Sequence, residues 1–154
     1  MAPTALGLHR QMYSAFAEGD VRTLDQICCD GLRESFRGRV ASRPKGERWE
    51  WELVKYTKRA KVLSHRAASL GIEGMGLRQA VVRIASRQKL TRYGVDGSVV
   101  PGSGQEKETV EYLVIQKKLE RAAEQEWMVW GTTEETTLQM LEEEEMADMP
   151  EDIR

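Results

Sequence analysis

The sequence contains no long hydrophobic run, which excludes a helical membrane span. No stretch of about 18 consecutive apolar residues occurs in the 154-residue chain, and a spanning helix requires roughly that length. The first residues also lack the apolar centre of a secretory signal and the arginine-rich, acid-poor composition of a transit peptide. We therefore expect a chain that works where it is made, or a mature domain.

Cysteine and histidine are also scarce, with two of each. Cys28 and Cys29 are neighbours, and a disulfide between them would distort the peptide and could not lie inside a helix. This excludes a disulfide scaffold and predicts buried thiols on a helix, in a reducing compartment. His9 and His65 are far apart, and the cysteines lack the spacer that would let two thiolates meet one zinc ion. We expect no metal and no cofactor.

Helical periodicity is strongest in residues 6–36. Apolar residues recur every three or four positions in a first helix (Leu8, Met12, Tyr13, Phe16) and a second (Val21, Leu24, Ile27, Cys28). Gly19 interrupts the pattern, and Asp20 is placed to cap the second helix. A third run begins at Leu32 and ends at residues 44–46. Since the first two helices are joined by only two or three residues, they are predicted to pack as a hairpin.

From residue 59 the period changes to two, which is typical of strands. We predict strands at residues 61–70, 77–93, 108–119 and 127–137, with a bulge or bend at Gly131. In the second strand, Val82 and Ile84 face one way and Arg83 and Arg87 the other, so one face is core and the other basic and wet. Residues 47–56 fit both a strand and a helical face, and we favour a short helix.

Helices followed by hairpin-connected strands predict the α+β class. The simplest packing places three or four N-terminal helices on a curved four-stranded antiparallel sheet. Residues 1–138 form a single domain in this interpretation, and residues 139–154, which include four consecutive glutamates, form an acidic C-terminal tail. The predicted core contains Leu8, Tyr13, Phe16, Leu24, Ile27, Val82, Ile84 and Val114.

An enzyme would need a general base in an apolar cavity and a donor that stabilises an oxyanion. The candidates are Asp25, His65, Tyr13, Tyr93 and Tyr112. Asp25 lies off the apolar stripe of its helix, and His65 could point to either side of its strand. No catalytic residue is therefore assigned, and we expect a protein that is not an enzyme.

Charge is distributed unevenly. Residues 1–104 carry 18 Lys and Arg against 10 Asp and Glu, whereas residues 105–154 carry 5 against 15. In residues 33–66, 11 bases face 4 acids. This excess predicts a polyanion-binding surface for RNA phosphates or lipid headgroups. Few aromatic residues are interleaved for base stacking, so we expect contacts to phosphates and shape. The predicted site comprises Arg33, Arg37, Arg39, Arg43, Lys45, Arg48, Lys58, Arg59 and Lys61.

Residues 11–32, 61–70, 80–90 and 127–136 together resemble a family of mitochondrial proteins. The family contains the C-terminal domain of the import-motor membrane anchor, large-subunit mitoribosomal protein forty-five, and its fungal relative, the inner-membrane mitoribosome receptor. The resemblance covers roughly residues 6–138. It implies a fold similar to the cone of nuclear transport factor, which agrees with the packing predicted above.

The resemblance implies a non-catalytic adaptor in the mitochondrial matrix, peripheral to the inner membrane. Its partners would be rRNA and proteins of the large mitoribosomal subunit, the anionic inner-membrane surface, and insertase or translocase subunits. The basic surface would dock the large subunit at the membrane. Two alternatives stay open: a membrane-associated scaffold of the presequence-translocase motor, and a small-molecule-binding or enzymatic cone.

Overall fold

Three helices precede an antiparallel sheet in the structure, a computed structural model that describes residues 1–133. The helices are α1 (Ala2–Glu18), α2 (Val21–Ile27) and α3 (Asp30–Ala41). The strands are β1 (Arg48–Tyr56), β2 (Lys61–Ser69), β3 (Gly76–Tyr93), β4 (Glu106–Glu120), β5 (Ala123–Glu124) and β6 (Met128–Thr133). The predicted end of the last strand at residue 137, the domain boundary at 138 and the acidic tail at 139–154 lie outside the described residues.

The break between α1 and α2 occurs at Gly19 and Asp20, the two residues predicted from the sequence. Gly19 adopts a left-handed conformation with φ of 73°, which costs glycine little, and its N–H donates to the carbonyl of Phe16 at the end of α1. Asp20 then caps α2 by accepting a hydrogen bond from the N–H of Thr23 at 3.1 Å. The predicted helix hairpin and its cap are confirmed.

Within residues 1–133 the sheet has six strands where four were predicted, yet it is only four strands wide. β1 and β2 lie end to end along one edge of β3, β1 on residues 86–93 and β2 on residues 76–83. β4 pairs with the other edge of β3, and β5 and β6 both pair with β4. β3 is therefore the central element, with 18 residues.

The preference for a helix at residues 47–56 was wrong, because this segment is β1. Trp51 pairs with Leu90 and Trp49 with Arg92, in the half of β3 that β2 leaves free. β5 was missed because its tight turn places Arg121 and Ala122 at φ of 51° and 62°, a conformation usually signalled by glycine or asparagine.

The helices pack on one face of the sheet, here called the inner face. Six of the eight predicted core residues lie in the buried cluster there: Leu8, Phe16, Leu24, Ile27, Val82 and Ile84. Tyr13 is partly buried at the edge of that cluster. Val114 was misplaced. It pairs with Val81 rather than with Val82, so it is buried on the opposite, outer face, and Leu113 occupies the inner position.

The predicted irregularity at Gly131 is confirmed. Val114 pairs with Gly131 and Ile115 with Val129, so Trp130 is the extra residue of a bulge and its ring is exposed. Among residues 1–133, no helix combines the length and the apolar composition that crossing a membrane requires.

Candidate polyanion-binding surface

The nine predicted basic residues fall into two groups that the structure uses differently. Six lie on α3, in the loop after it or at the start of β1: Arg33, Arg37, Arg39, Arg43, Lys45 and Arg48. Three lie in the connection between β1 and β2 or at the start of β2: Lys58, Arg59 and Lys61. The residues of the first group mainly stabilise the fold, whereas those of the second group adjoin the outer face of the sheet.

Arg43 is a structural residue. Its guanidinium donates to the carbonyl of Ala17 at 2.9 Å and to that of Phe16, two acceptors at the C-terminal end of α1. The same guanidinium lies 4.0 Å from the ring centroid of Trp49 and 4.6 Å from that of Phe16. Burial, and then the charge of Arg39, lowers the pKa of Arg43. The side chain joins α1, α3 and β1 and has little capacity left for a ligand.

Carboxylates and aromatic rings also engage four more residues of the helical group, Arg33, Arg37, Arg39 and Arg48, whereas Lys45 makes no ion pair within residues 1–133. Arg37 donates to Asp25 through Nε at 3.1 Å and through Nη2. Arg33 lies between Asp25 and Asp30 and donates to the Cys28 carbonyl at 3.2 Å. The remaining contacts are simpler: Arg48 pairs with Glu50 and covers the ring of Tyr93, and Arg39 covers those of Phe16 and Phe36.

The second group joins basic residues of the outer face that the predicted set did not contain. Lys61 pairs directly with Arg83 across β2 and β3, and Lys55 pairs with Arg87 across β1 and β3. Like charges directly opposite each other destabilise a sheet. We call the combined surface the outer basic face. It comprises Lys55, Lys61, Arg66, Arg83 and Arg87 on the strands, together with Lys58 and Arg59 in the connection between Lys55 and Lys61.

Few of these charges are neutralised within residues 1–133. Arg87 donates to Glu108 at 2.7 Å, and this bond, followed by the charge of Arg87, lowers the pKa of Glu108. In the described part of the chain, no carboxylate lies within 4.0 Å of the charged groups of the other six residues. The outer basic face therefore presents cations whose charge is free to act on a ligand.

The sequence contained evidence for the basic residues of the outer face that the predicted site omitted. Arg83 alternates with the buried Val82 and Ile84, which assigned it to a basic, wet face, and Arg66 ends the basic stretch of residues 33–66. The predicted site followed a contiguous run along the chain, whereas the actual surface crosses strands. Part of the outer face is also drier than predicted, because Ala85 and Tyr112 are buried there.

The enzyme candidates do not come together, but an unpredicted polar cluster lies under α1. Glu111 on β4 accepts hydrogen bonds from His9 Nε2 and from the Tyr13 hydroxyl. Trp51 stacks on Tyr13 and donates to Gln88 at 3.0 Å. Tyr13 was a candidate, whereas the pairing of His9 and Glu111 had no signal because 102 positions separate them.

The cluster stabilises the ionised carboxylate of Glu111. Burial by itself would raise the pKa of Glu111, but the hydrogen bond and charge of His9 and the hydrogen bond of Tyr13 outweigh it and lower that pKa. Burial, and then the charge of Glu111, raises the pKa of Tyr13. His9 is fully buried, and its Nδ1 has no hydrogen-bond partner among residues 1–133. Because Glu111 is also only 12% exposed, the pair is poorly accessible to a substrate.

The other candidates lie elsewhere. Asp25 pairs with arginines of α3, His65 is exposed on β2 and packs edge-on against Trp127, and Tyr93 lies under Arg48. The cysteines occupy the connection between α2 and α3 rather than the second helix itself. Burial raises the pKa of the Cys28 thiol to about 12, so it is an unreactive packing group.

Comparison with known proteins gives one sequence family and a distant structural likeness. The family model described as MBA1-like protein matches residues 2–153. No curated protein matches the sequence. Among solved structures, the chain is similar to the crystal structure of the intermembrane-space region of chloroplast protein ARC6, with 12% identity and a TM-score of 0.49. That likeness covers 86% of this chain and 95% of the other.

Proposed function

Because the chain belongs to the MBA1-like protein family, we propose that it is a non-catalytic adaptor that docks the large mitoribosomal subunit at the inner membrane, with its outer basic face on rRNA phosphates. Family membership places the protein in mitochondria, in association with the ribosome. The RNA contact, the matrix side and the membrane setting are parts of the proposal.

The observation that carries the RNA contact is the pair of like-charge rows on the outer face. Lys61 opposite Arg83 weakens the sheet in isolation, whereas Glu108 offsets part of the repulsion between Arg87 and Lys55. A polyanion laid across these rows would convert the repulsion into attraction and release condensed counterions. Arginine adds bidentate contacts to phosphate oxygens. A scaffold that bound only neutral proteins would gain nothing from this arrangement.

Two further observations favour an adaptor over the alternatives. The matching family model is the MBA1-like one, which favours the ribosomal over the import-motor interpretation. The acid–base pair of Glu111 and His9 lies between α1 and the sheet with His9 fully buried, which favours a structural role over catalysis.

The test compares two sets of neutralised residues that change the net charge equally. Lys58, Arg59 and Lys61 replaced by Gln should weaken binding to structured RNA from the large subunit. The slope of log affinity against log salt should become shallower by up to about one unit per lost phosphate contact. The matched control replaces Arg37, Arg39 and Arg48 by Gln and should retain most of the affinity, because these side chains already have partners.

Binding would be measured by fluorescence anisotropy over a salt series, with circular dichroism to show that each variant is folded. Equal losses for both sets would show that only net charge matters, and salt-independent binding would show that phosphates are not contacted. Either result contradicts the proposed surface.

A further inference from the structure

The connection between β2 and β3 projects apolar side chains from the far end of the sheet. Leu70 is 53% exposed and Ile72 is 66% exposed, and both lie beyond the last residues of β2. We call residues 70–75 the β2–β3 tip. Isolated exposed leucines are ordinary, but two at the end of one hairpin form a local apolar surface.

The apolar surface continues behind the tip. An open groove of about 550 Å³ lies between the tip and the ends of β2, β3 and β4. Much of its wall is aliphatic, with Ala67, Met75, Leu77 and Leu119. The apolar area therefore extends from the tip to the body of the sheet.

The neighbouring hairpin fixes the position of the tip. The N–H of Ala122 in the β4–β5 turn donates to the carbonyl of Gly74 at 3.0 Å. A side chain at Gly74 would have its Cβ 3.0 Å from that nitrogen, and Gly74 has φ of 78°, so glycine is needed there. The same turn carries Arg121, which brings a cation to the base of the tip.

Basic residues surround the base. Arg78 on β3, Lys117 and Lys118 on β4, and Arg121 in the turn are opposed by Glu73, Glu120 and Glu124. Glu124 is shared between Arg78 at 3.4 Å and Lys117 at 3.2 Å. Among the described residues the base keeps a positive excess, and Glu73 is the carboxylate within the tip itself.

We propose that the β2–β3 tip inserts into the headgroup region of a bilayer containing anionic phospholipids. Leu70 and Ile72 enter the boundary with the acyl chains, and the surrounding cations contact lipid phosphates, the combination by which peripheral proteins bind membranes. The proposal rests on the proposed function for its setting, because only a protein at a membrane meets this partner.

The experiment is flotation of the full chain with phosphatidylcholine vesicles prepared with and without cardiolipin. Wild type should float with the cardiolipin vesicles. Leu70→Ser combined with Ile72→Ser should weaken vesicle binding by about tenfold or more, as expected for losing two inserted side chains. Glu73→Gln should strengthen it, because it removes the opposing carboxylate.

The matched control replaces Val95 and Val99 by Ser. They are 83% and 50% exposed and lie beyond the opposite end of β3. This control should bind vesicles like wild type. No flotation of wild type, unchanged flotation of the tip variant, or equal loss in the control would each overturn the proposal.

RNA binding separates this proposal from the previous one. The tip variant should bind RNA like wild type, and the Lys58/Arg59/Lys61→Gln variant should still float. If vesicle binding fails while RNA binding is normal, the tip proposal alone is lost. If RNA binding fails while the tip variant still loses flotation, the proposed RNA contact alone is lost.

Discussion

At the scale of single residues, Glu111 is a largely buried carboxylate whose hydrogen bonds connect α1 to the sheet. Its carboxylate, 12% exposed, accepts hydrogen bonds from His9 and Tyr13, both on α1. Removing it would leave two buried donors without an acceptor, and an unmade bond of this kind costs more than an exposed ion pair contributes. Glu111 therefore fastens the longest helix to the sheet.

We expect Glu111→Ala to reduce the free energy of unfolding by on the order of 2–4 kcal/mol. Urea denaturation at neutral pH would measure it. Glu108→Ala is the matched control on the same strand, because Glu108 makes one exposed ion pair with Arg87 and its loss should change the stability only slightly. A similar small cost at both positions would contradict the anchoring role.

The effect should depend on pH in one direction. The pKa of Glu111 is lowered in the folded protein, so its contribution is complete above its unfolded pKa and is lost as pH falls through the folded pKa. The difference between wild type and Glu111→Ala should therefore shrink in acid. A difference that stayed constant would show that the carboxylate acts through packing rather than charge.

At the scale of elements, α2 depends on Asp20, the residue that precedes it. The helix has only 7 residues, too few to be stable alone, and Asp20 supplies a side-chain acceptor to its first turn. Hydrogen bonds from Thr23 lower the pKa of Asp20, so the cap is stabilising when Asp20 is ionised.

We expect Asp20→Ala to lower the midpoint of thermal unfolding by a few degrees, because α2 loses its cap. Thermal unfolding would show a lower midpoint, whereas Glu18→Ala, at an exposed position just before the turn, should change it little. Asp20→Asn should retain most of the stability because asparagine is also a good cap. An Asn variant as unstable as the Ala variant would contradict capping.

The elements also show what local sequence can reveal. The helices, the cap at Asp20 and four of the strands follow from periodicity and turn chemistry, which act within a few residues. β1 was missed because Trp49, Trp51 and Tyr56 fit both periods, and the choice is made by a free edge of β3 about 40 positions away. β5 is too short to carry a pattern.

The candidate site was predictable to a similar extent. Residue types and the alternation around Arg83 predicted a basic face, and the local excess of bases in residues 33–66 predicted its sign. Which arginines are free could not be predicted, because that depends on contacts such as Arg43 with the end of α1. Partners of this kind are chosen by packing, which a single sequence does not contain.

At the scale of the whole molecule, charge is segregated along the chain. Residues 105–154 carry 15 acids against 5 bases, and residues 142–145 are all glutamate. A linked acidic segment competes with phosphates for the same cations at an effective concentration set by the length of its tether. The protein would thereby restrain its own nonspecific binding.

Deleting residues 142–154 should strengthen RNA binding at low salt, and the difference from wild type should vanish at high salt because both interactions are screened. The measurement is the same anisotropy titration. A full-length variant with the four glutamates replaced by Gln controls for chain length. Unchanged affinity in both variants would show that the segment does not compete.

Because β3 is continuous, it sets the distance between the outer basic face and the β2–β3 tip. Arg83, in the outer basic face, and Gly76, where the strand leaves the β2–β3 tip, belong to one hydrogen-bonded strand with partners along both edges. Seven residues at about 3.3 Å each span roughly 23 Å. The strand would therefore hold the two proposed contact sites at a fixed separation. RNA and bilayer would then lie at a fixed distance from each other. Inserting matching residues into β2, β3 and β4, so that the strands stay paired, would increase this distance.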